Sequence, residues 1–392
     1  MATGTKADFT IYHEEYFSGM YESIVQNVNA FNAASGGAIT RMTDMVKGDY
    51  EKRTFLKTIS NLVSRRDITS TSAATVLKMT QGQIVGVKLN RKVGPIKQTA
   101  DAWRKIDEDP VRMSYYLGRM AGEEIVKDQL NQALRAVETA LHGQSNVEYD
   151  YSGTGTLAFA ALNNGLALFG DKAESIRVFV MHSKAFYNLV GDGIANYKID
   201  TIAGMMIATG SAAAMGRVIV VTDCDALKQY ELAYDGQTGN FGVNLTATGG
   251  TSGATGTIIK DTDAGATGTL EFDSVTGTWA DNEAITDTVI GAATVNGTLT
   301  TKYATLGLVP GAVTVKISEQ KDPPYFEREA GNENLEYQYQ DEYAYNVEVL
   351  GFTWDVSNGG ANPTQTALAI PTNWDKVVTE DKNLAGIRIV TT

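Results

Sequence analysis

The sequence has little of what secreted, membrane-anchored and metal-dependent proteins usually need. It contains one cysteine and three histidines among 392 residues. Cys224 cannot form a disulfide within the chain, which is typical of a reducing compartment. The longest apolar runs, such as 205–208 and 217–221, are much shorter than the roughly 18 residues of a membrane span, and the first ten residues contain no apolar signal core. We expect a protein that is neither exported nor anchored in a membrane.

The chain also lacks the surplus of lysine and arginine with which general nucleic-acid-binding proteins neutralise phosphates. It has 33 basic and 46 acidic residues, a net charge of −13. Twelve of the basic residues lie between 52 and 105, where there are only two acids, so this segment carries a local charge of +10. A basic segment of this kind can bind an acidic surface on another copy of the chain. A solvated charged face explains the pattern equally well.

Hydrophobic residues make up 43% of the chain, which is enough for a folded protein with a large core. Apolar residues recur every three to four positions over 11–31 and predict an amphipathic helix. A second helical stretch is predicted over 42–63, with an interruption near Gly48. Because these pieces do not form a compact unit, we interpret 1–60 as an extended arm.

The next two segments predict a protruding hairpin and a long helix. Residues 75–99 alternate between apolar and polar types and contain the turn signal Gly94-Pro95, which predicts a basic β-hairpin with too few large apolar side chains for a core of its own. Asp109-Pro110 then provides an N-cap and a first-turn proline, and an apolar stripe continues to Gly143. The pattern predicts one helix of about 32 residues and about 48 Å.

The remainder predicts a small α/β domain interrupted by a β-rich insert. A helix over 157–169, a buried strand over 177–181, a short helix capped by Ser183 and a strand over 217–221 are expected. From 235 to 303 Thr, Gly and Ala dominate, and the phrase Ala-Thr-Gly-Thr recurs, which predicts short strands joined by turn glycines. The apolar residues that could fill the core of the insert are Leu270, Phe272, Val275, Trp279, Ile285, Val289 and Val295.

Catalytic and metal-binding patterns in the sequence are weak. A catalytic group of nucleophile, base and orienting residue could be drawn from His182, Ser183, Asp223, Cys224 and Asp225. No nucleophile-elbow motif supports such a group. A serine that caps a helix, next to a histidine at a strand end, explains His182 and Ser183 better. Asp261, Asp263 and Gly265 resemble the start of a calcium loop, yet the position of the bidentate glutamate is occupied by Phe272. We therefore expect no catalytic, cofactor or metal site, and no cofactor.

The order of the predicted elements resembles the major capsid proteins of tailed bacteriophages, which share the Hong Kong 97-type fold. The likeness is carried by 75–99 as the extended loop, 109–142 as the spine helix, and 177–190 with 217–221 as the axial domain. The fold class expected is α+β, a Hong Kong 97-like capsid fold with an inserted small all-β domain. The resemblance implies this division: 1–60 N-terminal arm, 61–106 extended loop, 107–150 peripheral domain with the spine helix, 151–234 axial domain, 235–303 inserted all-β domain, and 304–392 return strands of the peripheral and axial domains.

The resemblance further implies a protein that assembles with copies of itself, as hexamers and pentamers, into an icosahedral head shell around double-stranded DNA that it does not bind sequence-specifically. A separate scaffolding protein and a portal are expected partners, a decoration protein is compatible with the insert, and no membrane is involved. Assembly is expected in the bacterial host cytoplasm, and the final location is the virion. The alternatives are an encapsulin-like nanocompartment, a surface adhesion or carbohydrate-binding protein, and an enzyme that uses Ser183 or Cys224.

A candidate contact between subunits follows from the charges. The region 319–348 carries nine acids against two basic residues and is rich in tyrosine, and capsid proteins of this type lay the extended loop over the neighbouring subunit. We predict that basic residues of the loop dock on this acidic surface in trans; pairing within one chain is an equally good explanation. The residues are Lys78, Lys88, Arg91, Lys92 and Lys97 on the loop, and Glu333, Glu336, Asp341 and Glu342 on the acidic surface.

Overall fold

One 32-residue helix and two β-sheets organise the fold in the computed structural model. No helix among the described residues is long and apolar enough to cross a membrane. The structure describes residues 16, 18–20, 22–24, 36–42, 48–57, 59, 62–63, 65–66, 68–69, 71–73, 76–99, 110–191, 198–202, 205–209, 216–319, 325–329 and 333–392.

The helices are α1 (Pro110–Leu141), α2 (Phe159–Ala167), α3 (Ser183–Gly191), α4 (Val356–Gly359) and α5 (Gln365–Leu368). The strands are β1 (Ile39–Met42), β2 (Tyr50–Leu56), β3 (Gln81–Thr99), β4 (Glu148–Asp150), β5 (Val178–Met181), β6 (Lys198–Ile202), β7 (Met205–Thr209), β8 (Val218–Val221), β9 (Lys228–Gly239), β10 (Thr246–Gly249), β11 (Thr255–Asp263), β12 (Gly268–Thr276), β13 (Ala284–Thr286), β14 (Ala292–Val295), β15 (Thr300–Leu308), β16 (Val313–Glu319), β17 (Tyr325–Glu329), β18 (Glu336–Val349), β19 (Phe352–Trp354), β20 (Trp374–Lys376) and β21 (Gly386–Thr391).

The predicted spine helix is confirmed as α1, which has the predicted length of 32 residues. Asp109, its predicted cap, lies outside the described residues. Gly143 follows the helix with φ +77°, the left-handed conformation that commonly ends a helix. From 129 to 142 the helix is buried on nearly every side, because the six-stranded and the larger sheet both pack against it. A helix buried all round belongs to the core.

The described part of the predicted helix over 11–31 is helical and packs against α1. Tyr16, Met20 and Ile24 are four residues apart and buried, so they form one face. A Cβ atom added to Gly118 of α1 would overlap the carbonyl oxygen of Tyr16, and one added to Gly122 would overlap that of Met20. The two helix backbones therefore touch, and glycine is the only residue that permits this approach.

The six-stranded sheet corrects two predictions about the arm and the extended loop. Its order is β1-β16-β18-β3-β2, and β17 also pairs with β18. The predicted helix over 42–63 is wrong where the structure describes it, because 50–56 forms β2, an edge strand paired with β3. Glu51 and Arg53, two residues apart, point to one face and pair with charged residues there, and this period of two is that of a strand.

The predicted hairpin within 75–99 is also wrong. β3 runs straight through Gly94-Pro95, where it carries one residue more than β18 opposite it, so the turn signal marks a β-bulge. The true hairpin joins β2 to β3: Leu56 pairs with Gln81, and 57–80 forms the connecting loop. Sequence reasoning mistook a bulge for a turn because glycine and proline serve both.

The helices and strands predicted between 157 and 221 are confirmed, whereas the division into axial and peripheral domains stays a prediction. β5 and β8 are buried parallel neighbours, and α2 and α3 begin and end close to the predicted bounds. β15 and β21 continue the same sheet on the other side of β5. The predicted cap of α3 is wrong: the backbone N–H of Lys184 donates to Nδ1 of His182 at 3.1 Å, so the imidazole does what Ser183 was expected to do.

The predicted all-β insert is a small closed barrel. β9, β12, β11, β10, β13 and β14 are hydrogen-bonded in a ring, all antiparallel, because both β12 and β14 pair with β9. It has a hydrophobic core of its own, which includes the predicted Leu270, Phe272, Trp279, Ile285 and Val295. Val275 is only partly buried, and Val289 is exposed, against expectation. Closure leaves the ring without free edges.

Two of the recurring glycines are not turn residues. Gly277 and Gly297 have positive φ and lie in turns, as predicted. Gly256 and Gly268 instead lie in strands. A Cβ atom at Gly256 would overlap Phe272 and Trp279, and one at Gly268 would overlap the ring of Tyr234. These positions therefore need glycine for space in the barrel core.

Buried charges join the barrel to the spine helix and to the last strand. Arg388 of β21 is completely buried; its guanidinium lies 2.8 Å from Glu138 of α1, 3.1 Å from Glu148 of β4, and donates to Gln229 of β9 at 2.7 Å. The negative charges around it raise the pKa of Arg388 even though burial acts in the opposite direction.

Two acids of β12 extend this network, which we call the charge lock. Glu271 lies 2.8 Å from Nε2 of His142 and 3.0 Å from Nζ of Lys260. Asp273 forms a buried ion pair with Arg135 of α1. Burial alone would raise the pKa of Glu271, but its contact with His142 and the charges of Lys260 and Arg388 lower it to about 2. The barrel is thus bound to α1 through charges, although its hydrophobic core is separate.

The buried stripe of α1 predicts a large cost for a charge at Leu134, which is fully buried in the core. We expect Leu134→Asp to lower the free energy of unfolding by more than about 4 kcal/mol, because the carboxylate would be buried without a partner. Met120→Asp on the exposed face of the same helix, where Met120 is 64% exposed, is the control and should change it by less than about 0.5 kcal/mol. Urea unfolding followed by circular dichroism measures both, and equal effects would contradict the assignment.

The charge lock predicts a loss of stability in Glu271→Gln of about 3–5 kcal/mol, because breaking a buried ion pair leaves partners uncompensated. Since the pKa of Glu271 is lowered from 4.5 to about 2, its contribution is complete above about pH 4.5 and is lost as the pH falls towards 2. The difference in unfolding free energy between wild type and variant should shrink over that range.

The controls for this experiment separate charge from packing. Glu124→Gln, at an exposed acid of α1, should have little effect at any pH. The double variant Arg135→Met with Asp273→Leu removes a whole buried pair and should cost much less than Arg135→Met alone. If the difference in unfolding free energy between wild type and Glu271→Gln did not depend on pH, ionised Glu271 would not be the stabilising form.

Candidate assembly site

The hairpin formed by β2, β3 and their connecting loop presents apolar side chains to solvent. Of seventeen exposed large apolar side chains among the described residues, seven lie between 56 and 79. Val63 is the most exposed of these, at 93%. The seven are Leu56, Leu62, Val63, Ile68, Val76, Leu77 and Met79. We call the described residues from 56 to 80 the loop tip. A concentration of exposed apolar residues marks a surface that is covered in an assembly.

The loop tip is also basic. Arg65, Arg66 and Lys78 are exposed beside these apolar side chains. Sequence reasoning found the charges but missed the exposed apolar residues, because it assigned 42–63 to a helix and 75–99 to a hairpin. The sequence signal for this surface was a run of apolar residues in a segment that has no glycine to form turns and no predicted strand to pair with.

The structure brings the predicted basic and acidic residues together within one chain. β3 pairs antiparallel with β18 from Val87–Val347 to Thr99–Glu336. Lys97 Nζ lies 2.7 Å from Glu336 Oε2, and Lys92 is directly opposite Glu342 in the ladder. The intrachain explanation that the sequence left open therefore applies to these pairs.

Arg91 also has its acidic partner in the same chain. Its Nε lies 3.3 Å from Oδ2 of Asp128 on α1. The hydroxyls of Tyr343 and Tyr345 donate to the same carboxylate oxygen at 3.0 and 2.8 Å. Burial, followed by the charge of Asp128, raises the pKa of both tyrosines. This network fastens β3 and β18 to the spine helix, so Arg91 holds the base of the hairpin.

Asp341 lies inside the protein and cannot serve as a docking charge. It is 3% exposed and pairs across the sheet with Val93, next to the bulge. Burial raises the pKa of its carboxyl, although its Oδ1 accepts the backbone N–H of Glu342 at 2.8 Å. The neighbouring Tyr339 is buried against Tyr16, and their hydroxyls are hydrogen-bonded. Tyr339 thus helps to position the N-terminal helical segment on the sheet.

A second group of charges fixes the direction in which the hairpin leaves the sheet. Lys316 of β16 is buried between Glu51 of β2, at 2.5 Å, and Glu348 of β18, at 3.6 Å. Asn346 donates to the other oxygen of Glu51 at 3.1 Å, and Arg53 pairs with Glu348. Three strands are joined through these five side chains, so the base of the hairpin is rigid while the tip is exposed.

Of the nine predicted contact residues, Lys78 and Glu333 are exposed outside the β3–β18 ladder, and Lys92, Lys97 and Glu342 are exposed within it. Lys88 is half-buried opposite Asn346. The contact between subunits that was predicted for them stays a prediction, and only the exposed members are placed to make it.

The residues considered for catalysis have structural roles. Nε2 of His182 lies 3.6 Å from Asp223, and its Nδ1 accepts the N–H of Lys184. Cys224 is buried with its Sγ 3.9 Å from the carbonyl oxygen of Asn131, and burial raises the pKa of the thiol. A thiol with a raised pKa is a poor nucleophile.

The residues considered for calcium shape a barrel hairpin. Oδ1 of Asp263 accepts the N–H of Gly265 at 2.7 Å, within the turn between β11 and β12. Asp261 accepts the hydroxyl of Tyr234 at 2.8 Å. Among the described residues no cluster of three or more histidine, cysteine or acidic side chains could hold a metal ion.

Solved phage capsid structures are similar to the chain at low identity. The capsid of Ralstonia phage GP4 is 10% identical, with 92% of this chain and 89% of that chain covered and a TM-score of 0.42. Microbacterium phage Oxtober96 is 10% identical, with 92% and 90% covered and a TM-score of 0.41. The capsid of Helicobacter pylori bacteriophage KHP30 is 7% identical, with 90% and 88% covered and a TM-score of 0.40. A search of curated protein sequences found no match.

A family model described as Gp13-like, major capsid protein 13-like, matches residues 8–262 and 273–388, nearly the whole chain. The match confirms the resemblance to tailed-phage major capsid proteins and the α+β capsid fold expected from it. It favours a structural shell protein over the encapsulin-like and adhesion alternatives. The chain belongs to the Gp13-like family of major capsid proteins.

Proposed function

We propose that copies of the chain form hexamers and pentamers of an icosahedral head shell, and that the loop tip of each copy covers part of a neighbouring copy. The observation that carries this proposal is the group of seven exposed apolar side chains between 56 and 79. Exposed apolar area of this kind is unfavourable in a free subunit and becomes favourable when a neighbour covers it.

We place the receiving surface at a group of exposed acids on the neighbouring copy. Glu333 and Glu342 are exposed beside β18, and Glu123 and Glu124 are exposed on α1. Arg65, Arg66 and Lys78 of an incoming tip would find complementary charges there, which orient the approach of two copies. Of the other six predicted residues, Arg91, Lys97, Glu336 and Asp341 support the fold of each subunit, and Lys88 and Lys92 lie in the β3–β18 ladder opposite Asn346 and Glu342.

The shell encloses double-stranded DNA and has no catalytic role in this proposal. The net charge of −13 supports it, because a strongly acidic wall does not adhere to packed phosphates. We further propose a separate scaffolding protein, a portal and assembly in the bacterial cytoplasm, which follow from membership of a capsid family. A decoration protein is compatible with the barrel.

The proposal predicts that charges in the apolar tip prevent assembly but not folding. Val76→Asp with Met79→Asp should leave the thermal unfolding of the unassembled chain unchanged, because both side chains are exposed. The yield of shells, measured by sedimentation and electron microscopy, should fall at least about tenfold, since each contact loses apolar burial and gains repulsion from the acidic neighbour. Normal shells from this variant would contradict the proposal.

Charge reversals separate the tip from the base of the hairpin. Lys78→Glu with Arg66→Glu should slow assembly, and Glu333→Lys with Glu342→Lys should partly restore it. Arg91→Glu should instead destabilise the unassembled chain by about 3 kcal/mol, because it places a carboxylate against Asp128 in a half-buried site. If Arg91→Glu and Lys78→Glu had the same effects on assembly and on the stability of the unassembled chain, the distinction between base and tip of the hairpin would be wrong.

A further inference from the structure

The barrel has an exposed apolar patch at the end remote from the spine helix. Val289 and Ile290 are 67% and 70% exposed in the loop between β13 and β14, and Val243 beside them is 39% exposed. β9 leads from the charge lock, where Gln229 binds Arg388, to Gly239, which pairs with Ala292 next to this loop. We call Val243, Val289 and Ile290 the barrel patch.

The barrel patch is held in one conformation. Asp287 accepts the backbone N–H groups of Val289 at 2.8 Å and Gly291 at 2.7 Å on one oxygen, and that of Gly242 at 3.0 Å on the other. A Cβ atom at Gly291 would overlap the ring of Phe241, so this loop packs tightly on the segment that carries Val243. An apolar surface that is already ordered loses little conformational entropy on binding.

The two segments that contain the barrel patch carry almost no charge of their own. Within 238–246 and 284–292, the two segments that contain it, Asp287 is the one charged residue, and both its oxygens are engaged by backbone N–H groups. The rim consists of exposed threonine and asparagine residues. Asp261 and Asp263 of β11 lie at the same end of the barrel, where Asp261 accepts the hydroxyl of Tyr234 at 2.8 Å and Asp263 accepts the backbone N–H of Gly265 at 2.7 Å. Two copies of a chain with a net charge of −13 therefore meet less repulsion at the patch itself than at the acidic surfaces elsewhere.

The size of the barrel patch indicates which partner fits it. An independent protein–protein interface buries roughly 800 Å² on each partner, far more than three aliphatic side chains provide. A neighbour that the shell already holds nearby needs much less, because its effective concentration is high. This favours a second copy of the chain over a freely diffusing partner.

We propose that the barrel patches of two neighbouring copies pack against each other in the assembled shell, as a self-complementary contact between capsid subunits. In such a contact the same residue lies on both sides of a two-fold axis, so Ile290 of one copy lies near Ile290 of the other. The barrel would thereby join subunits independently of the loop tip. This inference uses the established membership of a capsid family and does not depend on where the loop tip binds.

Cysteine cross-linking tests the proposal directly. Shells assembled from full-length Ile290→Cys chains, when treated with a mild oxidant, should yield covalent dimers on a non-reducing gel, and the same chain unassembled should not. Cys224 is buried and does not compete. Thr276→Cys is the matched control, because Thr276 is exposed at the end of β12 that lies away from the barrel patch. This variant should give no dimers.

Three results would overturn the proposal. They are shells of Ile290→Cys without dimers, dimers formed equally well by Thr276→Cys, and, in complete virions, a cross-link from position 290 to a different protein. The last result would identify the patch as a docking site for a decoration protein.

An independent variant tests the energetic contribution of the contact. Val289→Asp with Ile290→Asp should leave thermal unfolding of the unassembled chain unchanged and lower the temperature at which assembled shells dissociate. Unchanged dissociation of the variant shells would also overturn the proposal. The variant Thr276→Asp controls for an added charge elsewhere on the barrel.

Discussion

A completely buried arginine is the constraint around which the fold is arranged. Arg388 lies on the last strand, and the charges and polar groups that satisfy it come from the spine helix, from β4 and from β9. A buried guanidinium without partners would cost several kcal/mol, so these elements are bound to one another by the need to satisfy it. His142, Glu271 and Lys260 continue the network into the barrel. Buried ion pairs and hydrogen bonds therefore connect the final strand, the helix and the insert.

The same physical device recurs at the base of the extended hairpin. Lys316 is enclosed by Glu51 and Glu348, and Arg91 is held by Asp128 with two tyrosine hydroxyls on the same carboxylate. In both places, charges on elements far apart in sequence are paired in a partly buried environment. Ion pairs and hydrogen bonds are stronger there than at the surface, because the local dielectric constant is lower. The base of the hairpin is consequently rigid, and the loop tip extends from it. A subunit that must reach its neighbour needs this combination.

In the proposed shell, two exposed apolar surfaces contact other copies, namely the loop tip and the barrel patch. The chain is acidic, so its copies repel each other over most of their surface. At the loop tip, basic residues beside the apolar side chains reduce this repulsion. At the barrel patch, the rim of threonine and asparagine residues adds no charge to it. The two surfaces belong to different parts of the chain and can be altered separately. Contacts of both kinds are individually weak, and repetition around a shell multiplies them.

The sequence alone predicted the elements whose signals are local. The spine helix was found at its full length because its apolar period persists for nine turns, and β5, β8 and the barrel strands were found from β-branched runs and turn residues. The capsid family followed from the order of these elements. Of the nine predicted contact residues, Lys92 lies opposite Glu342 and Lys97 pairs with Glu336 within one chain. The contact between copies that was predicted for the nine stays a prediction.

Only the tertiary structure decided what depends on pairing between distant segments. β2 was predicted as helix, and it is a strand because β3 supplies its hydrogen bonds. Gly94-Pro95 forms a bulge instead of a turn because β18, more than two hundred residues later, continues beside it. Arg91 and Lys97 find acidic partners in their own chain, and Val289 is exposed although its side chain is as apolar as those in the barrel core. Periodicity reports which residues share a face, whereas burial and ion pairing depend on which faces meet, and that is determined by the packing of the whole chain.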